Sequence, residues 1–208
     1  MRVLSNAERS DLARDLTNGA FVMIPVRIVP TRHEDERGWF TESYSRRRLA
    51  ERGIDCEFVQ DNHSYTANKG TLRGLHFQVP PSPQAKLVRC LAGPVWDVVV
   101  DLRNGSPTFG KWVAAELTAR AGEQLFVPTG FAHGFVTLTD NAEIAYKASD
   151  YYAPECEGGI AWDDPDIAID WPLDRADPLL SDKDRFLSRL ADFRSPFAYD
   201  GVPLEPLD

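Results

Sequence analysis

Short strand-like runs separated by turn residues fill the chain between residues 57 and 148 and limit it to a small set of folds. No helical stretch interrupts this region, so the helical crossovers that βαβ units require are missing. Short strands at near-regular spacing predict an all-β sandwich or barrel. The chain also lacks a G-x-G-x-x-G or P-loop motif, which argues against a nicotinamide-binding fold. The runs are Glu57–Ser64, Thr71–Gln78, Lys86–Leu91, Val95–Leu102, Trp112–Leu117, Gln124–Val127, Gly134–Leu138 and Ala142–Ala148.

Helical patterns are confined to three short segments outside this region. Residues 6–16 and part of Ser45–Gly53 have the spacing of short helices. A last helix is predicted from Asp182 to about Phe193, where an S-x-x-D cap precedes apolar residues at i, i+4 and i+7. An all-β sandwich or barrel with a few short helices at its ends is therefore compatible with the pattern.

Length and composition bound the class of protein. With 208 residues, 43% of them hydrophobic, the chain is long enough for one domain with a full core. We expect an N-terminal extension over 1–20, the barrel domain over 21–194 and a C-terminal tail over 195–208. The net charge of −9 argues against a general nucleic-acid or anionic-membrane binder. Three scattered cysteines, no apolar run of membrane-spanning length and no signal-like N-terminus favour a soluble cytoplasmic protein.

The segment 71–89 brings three cationic or basic side chains together in sequence. Arg73, His76 and Lys86 lie among apolar strand residues on either side of a proline-rich loop, which suggests a site for an anionic small molecule. Alternation puts Lys86 on the same face as Val88 and Cys90, so an inward lysine would need an anionic partner or ligand. Alternatively, Lys86 ends its strand and extends its ammonium to water.

Other candidate residues allow a structural or a functional interpretation from the sequence alone. His33 lies in a polar turn, His63 in a strand with polar residues on both faces, and His133 at the start of an apolar strand. Tyr146 is a core tyrosine by default, but inside a polar barrel it could donate a proton. Asp184 suits the first turn of a helix without any catalytic duty.

These residues and the segments around them resemble the dTDP-4-dehydrorhamnose 3,5-epimerase family of nucleotide-sugar epimerases, from about Ile24 to Asp184. Two departures, Gln84-Ala85 before Lys86 and Trp39 where phenylalanine is common, touch no candidate catalytic group. The matching segments are DERGWF (35–40), FVQDNHS (58–64), LRGLHFQ (72–78), KLVRC (86–90), VWDVVVDLR (95–103), SPTFGKW (106–112), PTGFAHGF (128–135), YKASDYY (146–152) and LSDKD (180–184).

The resemblance implies a cupin-type jelly roll, a homodimer that exchanges N-terminal strands, and catalysis without metal or nicotinamide. It implies that His76 is the general base with Asp184 as its orienting partner, Tyr146 the proton donor, and Lys86 the cation beside the enolate. The substrate would be dTDP-4-dehydro-6-deoxy-D-glucose and the product dTDP-4-dehydro-L-rhamnose. The implied ligand contacts are Arg37, Glu42, Gln60, Asn62, Arg73, His133, Glu157 and Lys183.

Three alternatives remain open at the level of sequence. An enzyme of this family could invert only C3 or only C5. A metal-dependent cupin oxygenase or isomerase could use His63, His76 and His133 as ligands, although the chain lacks the His-x-His pair that metal cupins generally carry. A sugar-binding or scaffold protein could keep the barrel without catalysis, but the complete set of four catalytic candidates argues against it.

Overall fold

A computed structural model describes residues 24–174 and 177–207, so the helix predicted over 6–16 lies outside the described residues. The regular secondary structure of the described residues is nearly all strand, as the sequence predicts, and no helix in this part is long and apolar enough to cross a membrane. The strands are β1 (Val26–Ile28), β2 (Arg32–Asp35), β3 (Gly38–Thr41), β4 (Gln60–Thr66), β5 (Leu72–Gln78), β6 (Lys86–Ala92), β7 (Pro94–Asp101), β8 (Trp112–Thr118), β9 (Gln124–Val127), β10 (Phe131–Thr137), β11 (Ala142–Ala148) and β12 (Glu157–Gly159). The α-helices are α1 (Arg46–Ala50) and α2 (Asp182–Arg185), and short 3₁₀ helices span Pro154–Cys156 and Leu190–Asp192.

Two compact units divide the described residues, and the smaller one comprises residues 31–57. Within it, β2 and β3 form an antiparallel hairpin. The helix predicted near Ser45–Gly53 is confirmed as α1, whose N-terminus is capped by Ser45 Oγ accepting the Arg48 N–H at 3.4 Å. Leu49 is the buried residue of α1.

The larger unit, residues 24–30 and 58–207, contains two five-stranded antiparallel sheets. Sheet A has the order β1-β9-β6-β11-β4, and sheet B has the order β12-β5-β10-β7-β8. Alternating residues of both sheets meet in one buried cluster, the barrel core, as expected for two packed sheets. It includes Val88 and Cys90 of β6, Val95 and Val99 of β7, Leu125 and Val127 of β9, and Phe131 and Phe135 of β10.

Sheet B is also covered on its outer face. Leu72, Val98 and Val136 face away from the barrel core and pack with residues from the segment 160–197, including Ile160 and Trp171. Burial on both faces explains why β7 reads as an almost continuous apolar run rather than a strict alternation.

The long C-terminal helix predicted from Asp182 to about Phe193 is wrong. In this segment only α2 is α-helical, and Phe186, the first of the three apolar residues spaced for a helix face, is 84% exposed. The backbone beyond it bonds to other parts of the chain, since the Ala161 N–H donates to the Ser188 carbonyl and the Leu190 N–H donates to the Asp164 carboxylate. These tertiary hydrogen bonds replace the helical ones.

Residues 195–207 pack against the barrel. Arg103 is almost fully buried and donates to both carboxylate oxygens of Asp101, at 3.0 and 2.8 Å, and to Asp200 at 2.7 Å. Leu204 belongs to the barrel core, and its N–H donates to Thr108 Oγ1 at 2.9 Å. The segment after the last helix therefore completes both a buried ion-pair network and the apolar interior.

Candidate active site

An irregularity in sheet B places Arg73 and His76 on the same face of β5. His76 pairs with His133 and Arg73 pairs with Phe135, and the register shifts between these two pairs. Three residues apart, Arg73 and His76 would point to opposite faces of a regular strand. The shift instead turns both toward the barrel core, which is how bulges often redirect side chains beside active sites.

Glycines make this irregularity possible. Gly74 has φ = +124°, and a Cβ atom there would lie 2.6 Å from the Cα atom of Gly134. Neither strand has room for a side chain at this point, so close approach requires glycine at both 74 and 134, and the positive φ adds a second requirement at Gly74.

His76 forms a close pair with Asp184, which α2 delivers to β5. The distance from His76 Nε2 to Asp184 Oδ1 is 2.5 Å, and Asp184 is buried while His76 is partly exposed. Burial alone would raise the pKa of Asp184, but hydrogen bonds from His76 and Ser181 outweigh it and hold that pKa below its ordinary value. Because an ionised carboxylate only accepts, Nε2 carries the proton, and Nδ1 of the neutral ring keeps its lone pair.

A second histidine–carboxylate pair lies beside the first. His133 Nε2 is 2.7 Å from Asp97 Oδ1, and both side chains are buried. The sequence reasoning missed Asp97, although a carboxylate inside the apolar run VWDVVVD is a signal that could have found it.

Lys86 faces the barrel interior from sheet A, with Val88 and Cys90 on the same face, as predicted. The lysine lies at the end of β6, where it pairs with Ala148 of β11. Burial lowers the pKa of Lys86 to about 8, against the opposing charges of Asp97 and Glu157. This ammonium is therefore desolvated enough to interact strongly with an anion.

Tyr146 faces the same interior from β11, between Val88 on one side and Asn62 on the other. Burial and the charge of Glu157 raise its pKa, so the phenol stays neutral and keeps a proton to donate. On β4, Gln60 and Asn62 lie on the partly buried face and hydrogen-bond to each other at 3.0 Å.

Glu157 connects β12 to α2. Its carboxylate pairs with Lys183 and accepts a hydrogen bond from the Tyr152 hydroxyl at 3.0 Å. Burial would raise the pKa of Glu157, but these two partners and the nearby His76 lower it. The Glu157–Lys183 pair thus lies close to the His76–Asp184 pair.

Two predicted ligand contacts, Arg37 and Glu42, lie in the unit 31–57, and each pairs with a residue of that unit. Arg37 binds Asp35 through its guanidinium, and Glu42 pairs with Arg48 at 2.9 Å. The larger unit contains the other predicted residues.

The three histidines proposed as alternative metal ligands do not converge. His63 lies on the exposed face of β4, opposite to Asn62, and its Nε2 is 2.8 Å from Glu143. His76 and His133 are each bound through Nε2 to a separate carboxylate. Within the described residues, no group of three or more His, Cys, Asp or Glu side chains is arranged to hold a metal ion.

Comparison with known proteins identifies the family to which this chain is similar. The family model of dTDP-4-dehydrorhamnose 3,5-epimerase matches residues 24–192. The enzyme of that name from Pseudomonas aeruginosa is 54% identical over 159 residues, which cover 76% of this chain and 86% of the relative.

Solved structures agree. A Legionella pneumophila 3,5-epimerase in complex with dTDP-4-keto-L-rhamnose aligns with a TM-score of 0.79 at 47% identity, covering 84% of this chain and 93% of the other. A Bacillus anthracis relative with TDP and pyrophosphate bound aligns with a TM-score of 0.77 at 46% identity, covering 79% and 93%. These proteins have the cupin-type jelly-roll fold, which this chain shares. The chain therefore belongs to the dTDP-4-dehydrorhamnose 3,5-epimerase family.

Proposed function

We propose that this chain is an isomerase that converts dTDP-4-dehydro-6-deoxy-D-glucose to dTDP-4-dehydro-L-rhamnose by inverting C3 and C5, without a cofactor. The observation that carries the proposal is the placement of a histidine–carboxylate base on sheet B and a neutral tyrosine on sheet A, both facing one interior. Family membership supports the same reaction.

His76 is the proposed base. The hydrogens at C3 and C5 are acidified because both carbons lie next to the C4 carbonyl. With Nε2 bound to Asp184, the Nδ1 lone pair of His76 is the nitrogen that can accept each proton. The buried Asp184 carboxylate then stabilises the imidazolium that forms and holds the ring in position.

Lys86 is the proposed partner of the enolate oxygen. Proton removal transfers negative charge to the C4 oxygen, and a desolvated ammonium beside that oxygen stabilises the transition state. A pKa of about 8 keeps Lys86 largely protonated at neutral pH, since burial has not driven it below that range.

Tyr146 is the proposed acid on the opposite face of the sugar. Inversion requires that the proton returns from the side opposite to the base, and β11 and β5 belong to the two facing sheets. Its raised pKa suits a donor that must be neutral before the step.

The remaining contacts are assigned to substrate binding. Arg73 is an exposed residue and suits a diphosphate, because its planar guanidinium can bind two oxygens at once. The other proposed contacts are Gln60, Asn62, His133, Glu157 and Lys183, together with Arg37 and Glu42 from the unit 31–57.

Several expectations from the sequence stay predictions. They are the boundaries at residues 20 and 194, a homodimer with exchanged N-terminal strands, and a cytoplasmic location. Size-exclusion chromatography with light scattering tests the dimer directly, since a monomer at assay concentration would contradict it.

The reaction itself is tested by NMR of the purified protein with dTDP-4-keto-6-deoxyglucose in D2O. Deuterium at both C3 and C5 is expected, whereas deuterium at one position alone would identify a single-position epimerase. No exchange at either carbon would refute the proposal.

His76→Asn should abolish exchange at both carbons if His76 is the base. The matched control is His63→Asn, which makes the same change on the outer face of the barrel. If His76→Asn kept the exchange rate of the wild type, as His63→Asn should, His76 would be excluded from the mechanism.

A further inference from the structure

Asp97 is a buried carboxylate with no part in the proton transfers proposed for His76 and Tyr146. It lies on β7 with a side chain that is 0% exposed. Its Oδ1 accepts the hydrogen bond from His133, but Oδ2 is buried and has no hydrogen-bond partner among the described residues. A half-satisfied buried carboxylate is costly, and such groups are concentrated at functional sites.

The surroundings of Asp97 restrict what its second oxygen can serve. The residues directly across the sheet are Phe135 on β10 and Ala115 on β8, both apolar. Two cationic or basic groups interact with Asp97. His133 forms the hydrogen bond, and Lys86 on sheet A is influenced by the charge of Asp97. Cys90 on β6 also lies in its field.

Lys86 has a second acidic neighbour in Glu157, but that carboxylate already forms an ion pair. Glu157 pairs with Lys183, and the ammonium of Lys183 itself opposes the charge on Lys86. Lys86 forms no salt bridge with a residue in the described part of the chain. The uncommitted negative charge near Lys86 is therefore that of Asp97.

We infer that Asp97 is a positioning residue for the epimerase reaction, which fixes the His133 ring through Oδ1 and keeps the Lys86 ammonium protonated through the charge on its buried carboxylate. The inference rests on the proposed function, in which Lys86 faces the enolate oxygen. A carboxylate only accepts, so His133 carries its proton on Nε2 and leaves Nδ1 for the ligand. One carboxylate thereby sets the protonation of two groups that contact the substrate.

Lys86 and Asp97 face the same barrel interior from opposite sheets, because alternation puts Lys86 with Val88 and Cys90, and Asp97 with Val95 and Val99, in one core cluster. Burial lowers the pKa of Lys86 to about 8, and Asp97 is the larger of the two carboxylate influences that oppose this fall. Without Asp97, Lys86 would lose its proton at lower pH, and enolate stabilisation would disappear within the neutral range.

Asp97→Asn tests the inference because it removes the charge and keeps the shape of the side chain. We expect kcat to fall roughly ten- to hundredfold near neutral pH, as when an outer partner of a functional imidazole is lost, with a smaller change in KM. The alkaline limb of the kcat profile should move to lower pH. An unchanged alkaline limb would overturn the inference.

A readout that does not depend on turnover is the NMR titration of the Lys86 ammonium in the protein without substrate. Its midpoint should move to lower pH in Asp97→Asn. If the wild-type protein shows no exchange at C3 or C5, the proposed function fails, and this titration still decides whether Asp97 holds the charge on Lys86. A midpoint equal to that of the wild type refutes it.

The matched control is Asp101→Asn on the same strand. Asp101 is equally buried and faces the same side, but it binds Arg103 rather than the site. This variant should lose stability while the Lys86 titration stays in place. If Asp97→Asn does not fold, the tautomer of His133 in the wild-type protein is decisive, because a proton on Nδ1 alone would exclude a hydrogen bond to Asp97.

Discussion

Lys86→Met should make the protein more stable and less active at the same time. Methionine keeps most of the length of the side chain and removes the ammonium that burial disfavours. The pKa of Lys86 falls from 10.5 to about 8 on folding. Since one pKa unit corresponds to about 1.4 kcal/mol, the folded protein loses up to about 3 kcal/mol by holding this charge. Lys86 is only partly buried, so solvent screening makes this value an upper bound.

The sign follows from proton binding in the two states. Between the folded and unfolded pKa values of Lys86 the unfolded chain binds the extra proton, so the stability of the wild-type protein rises with pH across this window. Below the folded pKa of about 8, the full free-energy cost of burying the Lys86 ammonium is present. Lys86→Met should therefore unfold at a higher temperature near neutral pH, by at most roughly 6–12 °C, and its advantage should vanish as the pH approaches 10.5.

Thermal unfolding followed by circular dichroism at several pH values measures this difference. Activity is followed in parallel by deuterium exchange, which should fall sharply because the enolate loses its cation. A variant that is less stable than the wild type, or an advantage that does not change with pH, would refute a desolvated ammonium. Normal activity would instead favour a lysine that reaches water.

Three further predictions concern the two sheets. Tyr146→Phe should slow product formation, by about 10²–10⁴-fold, more than it slows initial exchange at the carbon next to the carbonyl. Asp184→Asn should flatten the acid limb of stability, because the lowered pKa of Asp184 stabilises the fold above the unfolded value and this contribution is lost as pH falls through the folded pKa. Gly74→Ala should destabilise the protein by about 3 kcal/mol or more, since the new Cβ would meet Gly134 and the positive φ disfavours alanine.

Each of these has an outcome that contradicts it. Equal loss of exchange and product formation in Tyr146→Phe would remove its donor role. If the urea midpoint changed with pH in the acid range to the same extent in the wild type and in Asp184→Asn, the partners of Asp184 would not lower its pKa. For Gly74→Ala, a melting temperature within a degree or so of the wild type would mean that the strand crossing can relax, and Gly53→Ala, with open space around its Cβ, is the control for backbone conformation alone.

Sequence patterns predicted the strands and the inward face of β6 well because both depend on local alternation. Lys86, Val88 and Cys90 could be assigned to one face by period alone. The same rule fails at β5, where the register shift puts Arg73 and His76 on one face. That shift depends on contact with Gly134 of another strand, which no local pattern contains.

The other failures have the same origin. The capping signal at Ser181 was correct, yet the helix ends after one turn, and beyond it the Leu190 N–H donates to Asp164, far away in sequence, instead of to a helical carbonyl. Asp97 was overlooked because a single carboxylate in an apolar strand gains its meaning from His133 on the neighbouring strand. The resemblance supplied the candidate site residues, whereas the hydrogen-bond pairs among them required the tertiary structure.

The segment 195–207 has a consequence for how the protein is made. The ribosome synthesises it after every strand of the two sheets, yet it supplies Leu204 to the barrel core and Asp200 to the buried Arg103. Until this segment emerges, the nascent barrel has an incomplete core and an arginine without one of its two carboxylates. Folding during translation therefore cannot reach its final stability at the last strand, and the nascent chain depends longer on protection from aggregation.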